Sequence, residues 1–220
     1  MKVLVEQTLR ASLGIQWVTL FLNLESLTRP IPVFHSVLQQ VLAVETIVQV
    51  IELIFYTWYA FQIHRIADVT RYRYYDWFVT TPLMLFSTMV YYEYRNSEER
   101  VTMETFWKKH WKEVLVVAGW NVWMLAFGYL QEIGVVGLLT STLFGFTGLF
   151  GSFYTIYHEF ASKAPANLPL FWFMFGVWSI YGVAAWLPTT LKNASYNVLD
   201  IFSKNFYGIF LSYLVWTLTQ

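Results

Sequence analysis

The chain has 220 residues, of which 57% are hydrophobic and 20% aromatic, whereas only 13% are charged. A soluble domain would carry about twice that charged fraction, so the composition predicts an integral membrane protein. The formal net charge is zero, with no basic tail or patch, which argues against nucleic acid as a partner, and the lack of cysteine excludes disulfides and thiolate metal sites.

Seven mainly apolar segments, called A to G, are each about long enough to cross a bilayer as a helix, which takes about 20 residues. Their approximate bounds are 7–24, 37–63, 74–94, 113–131, 134–157, 168–187 and 196–218. The predicted fold class is therefore an all-α membrane protein, a seven-helix bundle formed by a single domain, residues 1–220. No recognisable cleavage site of small residues accompanies segment A, so we expect a retained helix and not a signal peptide.

Lysine and arginine residues in the connections predict the orientation, because cytoplasmic loops are enriched in them. The A–B, C–D and E–F connections hold more of them than the opposite side, which places the N-terminus outside and the C-terminus in the cytoplasm. The A–B connection contains Pro30 and Pro32 and is compatible with either a short interfacial helix or a loop. The longest polar stretch, residues 95–113, connects C and D.

Segment B contains Glu45 and Glu52, two helical turns apart on one face. Carboxylates within a membrane usually mark an ion or proton path, and a line of them attracts cations into a pore. For Glu45, a solvated position near the cytoplasmic surface is the alternative. Glu52 lies deeper, and segment B has no Lys or Arg to pair with it. We expect Ser12 of segment A and Asn197 of segment G to hydrogen-bond with Glu52 and complete a polar constriction.

Segment C places Arg73, Asp76 and Thr80 at successive turns, and Ser87 shares the face of Asp76 and Thr80. Pro82 frees a backbone carbonyl that a neighbouring hydroxyl, such as that of Thr81, can help to satisfy. Taken alone, the Arg73–Asp76 pair is equally compatible with a helix end that faces a loop.

Segment G contains Lys204 near its middle, and Asp200 lies one turn earlier on the same face. Inserting an ammonium at such a depth costs roughly 2.5–3.5 kcal/mol, so the residue is expected to be functional. An ion pair that only fixes helix packing is the alternative. Two carboxylates, Asp76 and Asp200, would balance the charges of Arg73 and Lys204, as buried charges require.

Two motifs, Arg73-Tyr-Tyr-Asp-Trp-Phe-Val-Thr-Thr-Pro-Leu83 and Leu199-Asp-Ile-Phe-Ser-Lys204, resemble those of the microbial (type 1) rhodopsins. The separation of Asp76 and Lys204 is close to the usual one in that family. The resemblance extends to Trp178-Ser-Ile-Tyr181 in segment F and, more weakly, to segment D. It covers most of the chain from segment B onward.

The resemblance implies that Lys204 binds all-trans-retinal covalently as a Schiff base. Asp76 and Asp200 would be the counterions, with Asp76 also the proton acceptor and Arg73 beside them. The residues implied as the wall of the retinal pocket are Trp77, Thr80, Thr81, Asn121, Met124, Gly128, Trp178 and Tyr181. For the aromatic residues among them, ordinary membrane packing is the alternative, because aromatic residues are abundant throughout the chain.

The sequence departs from the pattern of retinal proton pumps at three places. Ser87 stands where pumps commonly have an acidic proton donor, and the F–G connection has no carboxylate to release a proton. Gly182 stands where the family typically has a proline in helix F. The helix-B carboxylates and the proline-containing A–B connection resemble instead the giant-virus rhodopsins, in the branch regarded as light-gated cation channels.

This resemblance implies a multi-pass protein of a host-cell or viral membrane that acts as a photoreceptor and not as an enzyme. We expect light to open a path for monovalent cations between helices A, B, C and G. The residues implied in the path are Glu45, Glu52, Ser12, Asn197 and Ser87. The alternative is a light-driven outward proton pump with Glu45 or Glu52 as donor. A signalling photoreceptor and a retinal-free transporter are less well supported, and assembly into a homo-oligomer is compatible with the sequence.

Overall fold

A computed structural model describes residues 2–219 and contains helices connected by short turns. The helices are α1 (Lys2–Leu27), α2 (Ser36–Gln62), α3 (Thr70–Asn96), α4 (Met103–Glu132), α5 (Leu138–Glu159), α6 (Leu168–Ala184), α7 (Thr189–Asp200) and α8 (Phe206–Thr217). A π-helical turn, Ile201–Asn205, joins α7 to α8, so that these three pieces form one continuous seventh helix. Within the described residues there is no strand, and the predicted seven-helix bundle is confirmed.

Several of these helices are apolar enough to span a membrane by themselves. Four segments meet the length and hydropathy of a membrane span: Val33–Gln62, Met103–Glu132, Pro165–Ala184 and Thr189–Thr217. The helices α1, α3 and α5 are of comparable length but contain more polar or small residues. Many large apolar side chains on the outside of the bundle are exposed, as expected for surfaces that contact lipid.

Several predicted boundaries differ from the structure. The polar stretch between segments C and D is partly helical, because α4 begins at Met103. A capping box explains this start: the Thr102 hydroxyl accepts from the Thr105 backbone N–H, and the Thr105 hydroxyl accepts from the backbone N–H of Thr102. Between α1 and α2 there is only a short 3₁₀ turn, Val33–His35. The seventh helix begins at Thr189, earlier than predicted.

The bundle is closed by contacts of the seventh helix with α1, α2 and α6. The pair α4 and α5 packs closely because of small residues on α5. A Cβ atom on Gly148 would lie 2.7 Å from the Trp120 carbonyl oxygen and 2.8 Å from the Met124 backbone nitrogen. Apolar side chains line the space between α3, α4, α5 and α6, whereas the buried face of α1 is largely polar. The end of the bundle at which α1, α3 and α7 begin is called the amino-terminal end below.

Candidate functional site

Lys204 lies in the π-helical turn, where its ammonium group is surrounded by three carboxylates. Its Nζ atom is 2.7 Å from Asp76 Oδ2, 3.7 Å from Glu52 Oε1 and 3.9 Å from Asp200 Oδ1. The Lys204 side chain is 3% exposed and the carboxylate side chains are no more than 2% exposed. The structure therefore brings together one residue each from α2, α3 and α7 around a buried cation, and the two aspartates offset the cost of burying that charge.

Arg73 forms its ion pair with Asp200 and not with Asp76, which corrects the pairing expected from their spacing in α3. Arg73 Nη1 lies 3.2 Å from Asp200 Oδ2 and 3.1 Å from the Tyr56 hydroxyl. Arg73 Nη2 donates to Asn197 Oδ1 and, at 3.4 Å, to the backbone carbonyl of Asn193. Asp76 already pairs with Lys204. The Arg73 guanidinium lies nearer to α2 and α7 instead.

The two carboxylates that flank Lys204 differ in how they are held. Asp200 accepts hydrogen bonds from the hydroxyls of Tyr56 at 2.6 Å and Tyr181 at 2.7 Å, in addition to its pair with Arg73. Asp76 Oδ2 accepts from Lys204, whereas Asp76 Oδ1 has no hydrogen-bond partner among the described residues. Asp200 is thus fixed on both oxygens, and Asp76 has an oxygen that is available to a proton.

A cavity leads away from Lys204 between α3, α4, α5 and α6 and encloses about 870 Å³, including its opening. Six of the residues predicted to line a retinal pocket do line it: Trp77, Thr81, Met124, Gly128, Trp178 and Tyr181. The other two do not: the Thr80 hydroxyl donates to the Asp76 carbonyl, and the Asn121 amide donates to the Thr81 hydroxyl.

The cavity suits a mostly apolar molecule attached at Lys204. Its wall is mostly aromatic and aliphatic, as is usual for ligand pockets. The Trp178 indole Nε1 in this wall has no hydrogen-bond partner within residues 2–219. Residues of α5, including Phe146 and Leu149, complete the wall. Sequence reasoning missed them because nothing distinguishes them from the other apolar residues of that helix.

Glu52 is fully buried, and neither of its carboxylate oxygens forms a hydrogen bond with a described residue. The hydrogen bonds expected from Ser12 and Asn197 are not formed. Ser12 accepts instead from the Gln16 amide at 3.2 Å, and Asn197 Nδ2 donates to the Thr8 hydroxyl at 3.0 Å. The side-chain oxygen of Asn197 accepts a hydrogen bond from Arg73, which explains why the Asn197 side chain does not turn towards Glu52.

A column of buried polar side chains passes through the bundle between α1, α2 and the seventh helix. On α1 it comprises Ser12, Gln16, Thr19, Asn23 and Ser26; on α2 Glu45, Gln49 and Glu52; and on the seventh helix Asn197, Asn205 and Ser212. The Ser212 hydroxyl lies 3.0 Å from the amide of Asn23, so the column bridges helices. Only Ser12, Glu45, Glu52 and Asn197 of this column were predicted, although the spacing of three or four residues between the polar side chains of α1 is a detectable signal.

Glu45 is 2% exposed, so the solvated position considered for it is not observed. Its carboxylate accepts a hydrogen bond from the Ser87 hydroxyl of α3. The two residues that were predicted separately for the path are therefore in contact. The Glu45 carboxylate of α2 thus lies beside Ser87, the α3 position at which retinal proton pumps commonly have an acidic proton donor.

A second cluster of charges lies at the amino-terminal end of the bundle and was not predicted. The Lys192 ammonium is 2.9 Å and 3.0 Å from the two carboxylate oxygens of Glu132 and 3.7 Å from Asp68 Oδ2. Burial raises the pKa of Asp68, but hydrogen bonds from Thr70 and Asn193 together with the nearby Lys192 outweigh it and hold this pKa below its usual range.

Comparison with known proteins agrees with this arrangement. A family model described as bacteriorhodopsin-like protein matches residues 14–218. The crystal structure of viral rhodopsin OLPVRII is similar to the chain with a TM-score of 0.87 and 26% identity, over 97% of this chain and 98% of that one.

Two other solved structures show the same fold at lower identity. Exiguobacterium sibiricum rhodopsin has a TM-score of 0.78 and 17% identity, over 100% of this chain and 98% of that one. The blue light-absorbing proteorhodopsin from Med12 has a TM-score of 0.75 and 16% identity, over 97% of each chain. No curated protein sequence matches the chain. The match over nearly its whole length shows that this chain belongs to the bacteriorhodopsin-like family of microbial rhodopsins, which are multi-pass membrane proteins.

Proposed function

We propose that this protein is a light-gated channel for monovalent cations that binds all-trans-retinal covalently at Lys204. The observation that carries the proposal is the polar column between α1, α2 and the seventh helix, which meets the charged cluster at Glu52. Apolar side chains would suffice to pack these helices, so a column of buried amides, hydroxyls and carboxylates is better explained by a path for ions or protons.

Retinal bound at Lys204 would supply absorption of visible light and isomerisation about a double bond. The Nζ atom of Lys204 in this structure stands for the nitrogen that would carry it. The chain's own residues provide a cation at Nζ, an acceptor in Asp76 and a fixed negative charge in Asp200. We infer that the proton held at Nζ passes to Asp76, because that carboxylate is nearest and has an oxygen free of other partners.

This proton transfer would change the charge next to the column. With its proton, the Lys204 nitrogen is a positive charge 3.7 Å from Glu52, and it repels cations that approach along the column. Transfer of the proton to Asp76 removes that charge, and Glu52, once water reaches it and it ionises, would offer a cation an oxygen ligand. Rings of carboxylates attract cations in this way in other channels.

A light-driven outward proton pump is the second candidate, and the contact between Glu45 and Ser87 favours it. Glu45 is buried on α2 beside the position at which pumps of the family carry a proton donor. In this alternative Glu45 would return a proton to the Lys204 nitrogen, and the column would carry protons alone.

Whole-cell recording under illumination at several voltages separates the two functions. A channel gives a photocurrent that changes sign at the equilibrium potential of the permeant ion, and replacing external sodium with a large organic cation moves that potential. A pump gives a current of one direction over a wide range of voltages. A current that never changes sign and does not respond to the sodium gradient would contradict the channel and favour the pump.

A further inference from the structure

The cluster at the amino-terminal end buries a third cation, away from the cavity and the polar column. Lys192 of α7 is 6% exposed, and its ammonium lies between Glu132 at the end of α4 and Asp68 in the α2–α3 connection. Removing one partner from such a buried group is costly, because the remaining charge is left without compensation. The cluster therefore ties the first turns of α7 to two other parts of the bundle.

A continuous series of contacts joins this cluster to the ammonium of Lys204. Asp68 Oδ1 accepts from Asn193 Nδ2 at 3.0 Å, and the backbone carbonyl of Asn193 accepts from Arg73 Nη2 at 3.4 Å. Arg73 is paired with Asp200, which lies 3.9 Å from Lys204 Nζ. Lys192 and Asn193 are adjacent in α7, so the ion pairs of one fix the backbone position of the other.

We propose that Lys192 is a positioning residue whose charge, balanced by Asp68 and Glu132, acts through Arg73 and Asp200 to set the charge balance around Lys204. The F–G connection has no carboxylates. Asp68 and Glu132 supply them from the α2–α3 connection and from α4 instead. The proposal rests on the attachment of retinal at Lys204, since the charge balance is read from the colour of the pigment.

Several charged or titratable groups face the Lys204–Asp200 pair and set its response to pH. They are Glu52 and Tyr56 from α2, Arg73 and Asp76 from α3, Tyr181 from α6 and Tyr196 from α7. From α1 the polar residues in this region are the neutral Ser12 and Gln16. Lys192 is a further positive charge on the side of Arg73 that faces away from Lys204, and Glu132 is the negative charge paired with Lys192.

The test is an acid titration of the purified pigment in detergent. Protonation of the carboxylates beside the Lys204 nitrogen shifts the absorption band to longer wavelength, and the midpoint of this shift is measured. Lys192→Gln removes a positive charge, so the midpoint should move to higher pH, by about half a unit or more. Glu132→Gln leaves Lys192 less compensated, so the midpoint should move to lower pH. Lys192→Arg should restore the wild-type midpoint.

Lys109→Gln is the matched control, because Lys109 pairs with Glu93 at 2.6 Å near the opposite end of the bundle. Its midpoint should equal that of the wild type. Opposite shifts in Lys192→Gln and Glu132→Gln support the proposal, since general loosening of the fold would move both in the same direction. An unchanged midpoint in both variants, or shifts of the same sign, would overturn it.

The outcomes of this test distinguish failure of the role proposed for Lys192 from failure of retinal attachment at Lys204. If Lys192→Gln does not form a pigment, Glu132→Gln decides alone, and a midpoint that is not lowered overturns the proposal. If the wild-type protein forms no visible pigment with retinal, attachment at Lys204 itself is refuted. A coloured wild type with unresponsive variants refutes only the role of Lys192.

Discussion

Asp76 and Asp200 are chemically identical residues with different surroundings, although both lie within 4 Å of the Lys204 nitrogen. Two tyrosine hydroxyls and Arg73 hold Asp200, whereas Lys204 alone holds Asp76. Their roles should therefore differ, with Asp200 a fixed charge and Asp76 the residue that exchanges a proton.

Asp76→Asn should shift the absorption band to longer wavelength, because it removes the nearest negative charge that stabilises the cation at Lys204. The formation of a deprotonated, blue-shifted species after a light flash should also be slowed, since the acceptor is lost. Both are measured by static and flash absorption spectroscopy. Glu93→Gln, which alters a carboxylate far from the cavity, is the control. If neither quantity changes in Asp76→Asn, Asp200 alone is the counterion.

Lys204→Ala should abolish the visible band of protein expressed with retinal, because no other lysine lines the cavity within the described residues. The measurement is the absorption spectrum of the purified protein. Lys109→Ala, which removes a lysine outside the cavity, should remain coloured. A Lys204→Ala pigment whose band still responds to pH would disprove the assignment.

Glu52→Gln should reduce the photocurrent severalfold or change its reversal potential, because it keeps the shape of the side chain and removes its ability to become charged. Since Glu52 lies 3.7 Å from Lys204 Nζ, the colour of this variant also reports its charge in the dark. An unchanged band indicates a neutral Glu52, as we expect for a carboxylate without hydrogen bonds.

Glu45→Gln provides the comparison for Glu52, since it changes a carboxylate of the same helix farther along the column. Wild-type currents and an unaltered reversal potential in Glu52→Gln would remove Glu52 from the path. A loss of current confined to Glu45→Gln would then make Glu45 the controlling residue.

At the scale of the helices, the close packing of α4 and α5 depends on Gly148. Gly148→Ala should destabilise the protein by about 1–3 kcal/mol, because the added methyl group would collide with backbone atoms of α4 that cannot easily move. Thermal loss of the visible band measures the effect. Gly119→Ala is the control, since no neighbouring atom lies within 4 Å of the position that its Cβ would occupy. Equal stability of the two variants would contradict the packing argument.

The number, type and order of the helices could be predicted from the sequence, because each span needs a long apolar segment. The partnership of Lys204 with Asp76 and Asp200 could be predicted as well, from the motifs that carry them. The pairing of Arg73 could not, because the spacing within α3 favours Asp76, and only the packing of α2 and α7 shows that Asp200 is nearer.

Contacts between helices far apart in sequence were also beyond prediction. Nothing in the sequence pattern links Lys192 to Glu132, and the closeness of Glu52 to Lys204 depends on how α2 is rotated in the bundle. The start of α4 is a local feature that the sequence does contain, as the Thr102–Thr105 capping box. The polar residues that follow this box favoured the prediction of a loop.

The molecule as a whole is divided into two halves that meet at Lys204. The half formed by α3, α4, α5 and α6 is apolar and contains the cavity, whereas the half formed by α1, α2 and the seventh helix contains the polar column. Lys204 borders both halves. A change of charge at its nitrogen would therefore act directly on Glu52, the nearest carboxylate of the column.

The surroundings of Arg73 have a kinetic consequence. Its guanidinium carbon lies 5.5–5.8 Å from the ring centres of Phe55, Tyr56, Tyr59 and Tyr196, so this side chain has little room to swing. Changes of charge beside the column then come from protons leaving or reaching the neighbours of Arg73, and not from movement of Arg73 itself. If the protein acts as the proposed channel, its opening should therefore be slower in heavy water than in ordinary water. A photocurrent that rises at the same speed in both solvents would mean that helix movement alone opens the path.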